Sequence, residues 1–157
     1  MWKSVALTIA AVTSLQFFLY CVVYALVLYL LDAVASSLVV LISLISVYVI
    51  VYVLKVATRV QRQSDAQIVF ARPDRAFPSG HAAAVAFLIP VVTYTAPWGL
   101  PVITLLATST LTGVVMLSRL SLRAHTLDQV VAGALIGTLV PVAIIMVTHT
   151  QSLFGMV

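Results

Sequence analysis

The chain has 157 residues, of which 63% are hydrophobic and only 8% charged, with a formal net charge of +4. A soluble domain carries roughly 25% charged residues, and one this small could not bury so much apolar surface, so the composition excludes a water-soluble globule and makes lipid the solvent. The single cysteine, Cys21, lies inside an apolar run, excludes an intrachain disulfide and makes no metal site alone; the positive charge bears on topology and on anionic headgroups or phosphates, not on nucleic acid.

Five uncharged apolar runs follow in chain order, at 5–31, 33–54, 80–96, 100–117 and 130–147. Crossing the hydrocarbon takes roughly 20 apolar residues, with about 17 as a lower limit. The first two exceed this and the last three lie near it. Backbone amides in lipid must pair internally, so each run is predicted to be a helix. The expected fold is all-α, a polytopic transmembrane bundle of about five spanning helices, forming one domain over 1–157. Lys3 and the following run superficially resemble a cleaved signal peptide, but the apolar stretch is about twice the usual 7 to 15 residues, and it reads as a retained helix. Pro90 and Pro141 fall inside two runs and are expected to kink them. Gly133 and Gly137 form a small-xxx-small pair, which either lets a helix approach closely or is a chance feature of an apolar helix.

If all five runs span, the linkers alternate sides. Lys3, Lys55, Arg59, Arg62, Arg72, Arg75, Arg119 and Arg123, which are all eight basic residues, then fall on one side. Asp32, the turn at 95–99 and the tail with His149 fall on the other. A wrong helix count would scatter the charges. Trp2, Tyr94 and Trp98 near run ends suit an interfacial aromatic belt, and Lys55 and Arg59 read as interfacial snorkelers.

Three polar clusters lie on the basic side: Arg72-Pro73; Pro78-Ser79-Gly80-His81; and Ser118-Arg119 followed by His125-Thr126-Leu127-Asp128-Gln129. In the second, Pro78 extends the residue before it, Ser79 is a good N-cap and Gly80 lets a substrate approach the backbone. A helix N-terminus offers free N–H groups to a phosphate, with His81 in the first turn. Alone, this cluster also fits an ordinary helix start with an interfacial histidine. In the third, Thr126 and Gln129 have capping-box spacing, which starts the last helix and leaves His125 just outside it. A loop of basic residues facing headgroups is the alternative. Against it, two arginines and two of the chain's three histidines converge on one face. Arginine grips phosphate oxygens with a planar fork, histidine serves as nucleophile or acid near neutral pH, and no carboxylate or Cys/His spacing suggests a metal. The implied chemistry is phosphoryl transfer with no cofactor.

In order and internal spacing, these clusters resemble the type-2 phosphatidic acid phosphatase family, related to bacterial acid phosphatases and vanadium haloperoxidases; the likeness covers about 72–137. The resemblance implies that His125 is the nucleophile, His81 the acid that protonates the leaving oxygen, Arg72 and Arg119 the phosphate clamps, and Ser79 and the Gly80 amide phosphate donors. Two positions depart from the family pattern. Where the family has a lysine seven residues before Arg72, this chain has Asp65; Arg62, one helical turn earlier, is a substitute by spacing. Where the family has an aspartate four residues after the nucleophile, this chain has Gln129, with Asp128 one residue early. Gln129 either accepts a hydrogen bond from the His125 ring or only caps the helix; Asp128 either reaches the ring or only favours the helix dipole.

The segment from His125 to Val130 is similar to the dolichyl-diphosphate phosphatase branch, which favours a polyprenyl diphosphate over phosphatidic acid or phosphatidylglycerol phosphate. The resemblance also implies six core helices against five runs, so one is absent or supplied by a partner chain in a homo-oligomer. The partners expected are the bilayer and a lipid phosphate substrate, in a multi-pass protein of the cell membrane. Positive charge places the site in the cytoplasm; the resemblance places it on the extracytoplasmic face. Two other readings stay open: phosphotransfer to an alcohol at the same site, and a non-enzymatic bundle that binds anionic lipid or conducts ions.

Overall fold

Every predicted run that falls among the described residues forms a helix. The structure is a computed structural model and describes residues 15–31, 33–58, 76–96 and 100–153. We number its five helices α1 (Leu15–Leu30), α2 (Val34–Thr58), α3 (Gly80–Thr95), α4 (Pro101–Ser121) and α5 (Leu127–Leu153). No strand occurs among the described residues. Several helices outrun their apolar segments, and hydroxyls in their last turns bond back into the same helix. The Thr58 hydroxyl donates to the Leu54 carbonyl at 2.8 Å, and that of Thr148 to Ile145 at 2.9 Å. Helices α3 and α5 run unbroken through Pro90 and Pro141. Pro101 opens α4, where its missing N–H costs nothing.

Helix α3 is the centre of the bundle. Positions 82–87 are all buried, and six successive residues at 100° each sweep every face of a helix, so α3 is sheathed on all sides. Four of the six are alanines, which lets neighbours approach closely. A Cβ on Gly133 of α5 would collide with the Ser79 carbonyl, and one on Gly137 with the Ala83 carbonyl. The glycine pair is therefore a real contact surface, and its partner is α3. Because 79 pairs with 133 and 83 with 137, α3 and α5 run parallel at a constant offset. The far end agrees: the Tyr94 and His149 rings meet edge to face, 5.6 Å between centroids.

The remaining helices alternate. The Ser37 hydroxyl at the start of α2 donates to the Ala25 carbonyl of α1 at 2.9 Å. Thr112 of α4 donates to the Val85 carbonyl of α3 at 3.2 Å. Buried hydroxyls thus tie helices together inside, while Leu30, Ile103 and Leu139 are 70%, 62% and 59% exposed outside. This polar-inside, apolar-outside arrangement suits lipid, where interhelical hydrogen bonds and small residues hold helices together. Three helical segments, Val34–Thr58, Pro101–Ser121 and Leu127–His149, are long and apolar enough to cross a bilayer. The 16 residues of α3 rise only about 24 Å against roughly 30 Å of hydrocarbon. Its neighbours screen it from lipid, so it need not match that thickness. Helices α2 and α4 end, and α3 and α5 begin, at one end of the bundle.

Candidate active site

The two histidine segments are brought together by backbone. The Ser79 amide donates to the Gln129 carbonyl at 2.9 Å, which joins the start of α3 to the first turn of α5. Ser79 is the N-cap of α3 as predicted: its hydroxyl oxygen accepts from the Ala82 amide at 3.4 Å, and the residue is fully buried. His81 follows in the first turn of α3, partly buried.

The five-residue gap between Arg119 and His125 has a structural cause. The Arg123 amide donates to the Leu120 carbonyl and the Ala124 amide to the Arg119 carbonyl, at 2.9 and 3.1 Å. With Arg123 at φ 51°, this is a Schellman termination of α4. It turns the chain back immediately before His125. Arg119, in the last turn of α4, is 2% exposed. An interfacial arginine would extend to the headgroups; this guanidinium is held inside the protein.

Gln129 has both functions weighed from the sequence. Its Oε1 lies 3.0 Å from His125 Nδ1 and accepts from the Thr126 amide at 3.3 Å. An amide N–H can only donate, so the Gln129 atom facing it is the carbonyl oxygen. His125 Nδ1 must then carry the proton, so in the neutral ring the lone pair sits on Nε2. The first helical bond of α5, from the Val130 amide to the Thr126 carbonyl at 3.1 Å, confirms Thr126 as N-cap. Asp128 is exposed in the first turn of α5, where a carboxylate suits the helix dipole.

A cavity of about 330 Å³ opens between α1, α2 and α3. One end of its wall carries Lys55, Gly80, His81 and His125; the rest is mainly aliphatic and aromatic, with Leu44, Val47, Tyr48, Val51 and Tyr52 of α2, Phe87 of α3 and Phe17 of α1. Both histidines therefore face one space, and that space continues into the bundle as a greasy slot. Arg119 and Ser79 are buried beside this end but do not belong to the wall. Arg72 and Arg62, both expected to bind phosphate, and Asp65 lie outside the described residues. Among the described residues no group of three or more His, Cys, Asp or Glu side chains could hold a metal ion.

Sequence reasoning missed two features. Lys55, read as a snorkeler, lines the cavity with the histidines. A signal was present: Leu44, Val47, Tyr48, Val51, Tyr52 and Lys55 follow the 3- and 4-residue spacing of a single helix face. The slot itself was not legible, because it depends on how three helices pack.

Fold and site together define a polytopic helical membrane protein with paired histidines at the end of an apolar slot. The model of the PAP2 superfamily matches residues 36–152, and the chain belongs to that superfamily. Among solved structures it is similar to the crystal structure of a transmembrane PAP2-type phosphatidylglycerolphosphate phosphatase from Bacillus subtilis. The TM-score is 0.79 at 20% identity, over 94% of this chain and 77% of that one. At that identity the likeness establishes the fold. No curated protein matches the sequence. The chain is thus an integral membrane protein, with the all-helical architecture expected from its sequence.

Proposed function

We propose that the protein is a lipid phosphate phosphatase that works through a phosphohistidine, with a polyprenyl diphosphate as the favoured substrate and phosphatidic acid or phosphatidylglycerol phosphate as the others to test. The observation that carries this reading is the single cavity with two imidazoles at one end and an aliphatic and aromatic wall at the other. A phosphate headgroup belongs at the first and a lipid tail at the second.

The His125 Nε2 lone pair attacks phosphorus, and the bond from phosphorus to the leaving oxygen breaks. His81 gives that oxygen its proton. Water then attacks the phosphohistidine, His81 takes the water's proton, the N–P bond breaks, and inorganic phosphate leaves. Gln129 holds the Nδ1 proton throughout, so Nε2 is the nitrogen presented to phosphorus at each turnover. Arg119, the Gly80 amide at the start of α3 and, from the family resemblance, Arg72 offset the charge that develops on the phosphoryl oxygens. General acid catalysis contributes roughly 10²- to 10⁴-fold.

The test is phosphate release by purified protein in detergent with excess chelator, on all three lipids. The reading expects release from at least one of them and its loss in His125→Ala with the thermal transition retained. No release from any, or strict dependence on added metal, would contradict it. Recovery of a phosphorylated alcohol in place of inorganic phosphate would instead identify the phosphotransfer reading.

A further inference from the structure

We infer that Lys55, at the end of α2, is a phosphate-binding residue of this site, resting on the reading of the cavity as the place where a lipid phosphate is hydrolysed. Lys55 belongs to the same helix face as Val47, Val51 and Tyr52, and all four line the cavity. Its stem lies against the first residue of α3: a Cβ built on Gly80 would come within 3.9 Å of Lys55 Cε. Lys55 Cε therefore lies at the N-terminal turn of α3, and the side chain shares the cavity wall with His81 and His125.

That placement sets a cationic side chain between the end of α2 and the start of α3. Cations favour helix C-termini, and Lys55 has one in α2; the start of α3 is the positive end of a helix dipole. A snorkelling lysine would direct its stem outward along lipid, whereas this one is half-buried and faces inward. Lys55 thus shares with His81 and His125 one end of a cavity large enough for a phosphoryl group. One turn further into the bundle the α2 wall becomes apolar at Val51, so Lys55 marks the boundary between headgroup and tail. The ligand class is a phosphate oxygen next to the ester or anhydride linkage of a lipid.

The experiment uses the full-length protein in detergent, with Lys55→Gln and Lys55→Arg beside wild type. Binding of orthovanadate and inorganic phosphate is read by thermal shift and by inhibition of lipid phosphate hydrolysis. Lys55→Gln is expected to weaken both anions about 10- to 100-fold, as loss of a charge-assisted contact does. It should also raise KM or lower kcat while the anion-free thermal transition stays at the wild-type value. Lys55→Arg should recover part of the affinity. Wild-type binding that Lys55→Gln retains in full would overturn the assignment of Lys55 alone. A wild-type protein that neither binds the anions nor releases phosphate would overturn this assignment and the parent reading together.

Discussion

At the scale of single residues, the contact that orients the His125 ring is the one between its Nδ1 and Gln129 Oε1, 3.0 Å apart. The family pattern places a carboxylate where this chain has Gln129, and the geometry gives the neutral amide the same positioning task through its bond to Nδ1. Gln129→Leu removes that acceptor while keeping the volume. It should lower kcat about 10- to 100-fold, in line with other orienting partners, with little change in KM; an unaltered kcat would mean that Gln129 only caps α5. Arg123 offers a test on stability alone. It is an exposed arginine at φ 51°, a conformation that costs a non-glycine residue roughly 1–2 kcal/mol. Arg123→Gly is expected to stabilise the protein by about 1 kcal/mol in thermal unfolding, without loss of turnover. The motif residues were legible because their chemistry is local: a cap, a glycine, a capping-box spacing. Lys55 was not, because its role depends on a neighbouring helix that sequence spacing alone does not place.

At the scale of elements, the parallel pairing of α3 and α5 fixes the distance between the two histidine segments. Gly133 and Gly137 were visible as a pair, but the sequence offered no partner for them; the structure supplies the carbonyls of Ser79 and Ala83. Gly137→Val should therefore destabilise the bundle by roughly 1–3 kcal/mol. Gly113→Ala of α4, where nothing lies within 4 Å, should be neutral or slightly stabilising. Equal effects at the two positions, read by thermal unfolding in detergent, would remove the close-packing argument. The slot between α1, α2 and α3 is also an element-scale feature. From Lys55 to Leu44 it follows α2 for about 16 Å at 1.5 Å per residue. Near its inner end the Phe17 and Phe87 rings meet edge to face, 6.3 Å between centroids. Phe87→Leu opens that end and should shift the preference among lipid phosphates toward longer tails, measured as the ratio of kcat/KM for long and short chains.

At the scale of the whole molecule, composition pointed to lipid as the solvent, and the all-helical class followed from the five long uncharged apolar runs. The alternation of linkers was equally readable: among the described residues Lys55, Arg119 and Arg123 sit at the histidine end, and His149 at the other. The run at 80–96 lay near the lower limit for spanning, and α3 is indeed short; what the sequence did not reveal is that its positions 82–87 are buried on every side. Single cysteines introduced at Ser36 and Ser64, in a background without Cys21, should label from opposite sides of the membrane, and the side reached at Ser64 is the side of the active site. The most direct test of the central claim is rapid quenching of the protein during turnover of a lipid substrate carrying a labelled terminal phosphate. The account predicts a transient, acid-labile and alkali-stable phosphate on His125, absent from His125→Ala; steady turnover with label on another residue, or with no covalent label at any time, would contradict it.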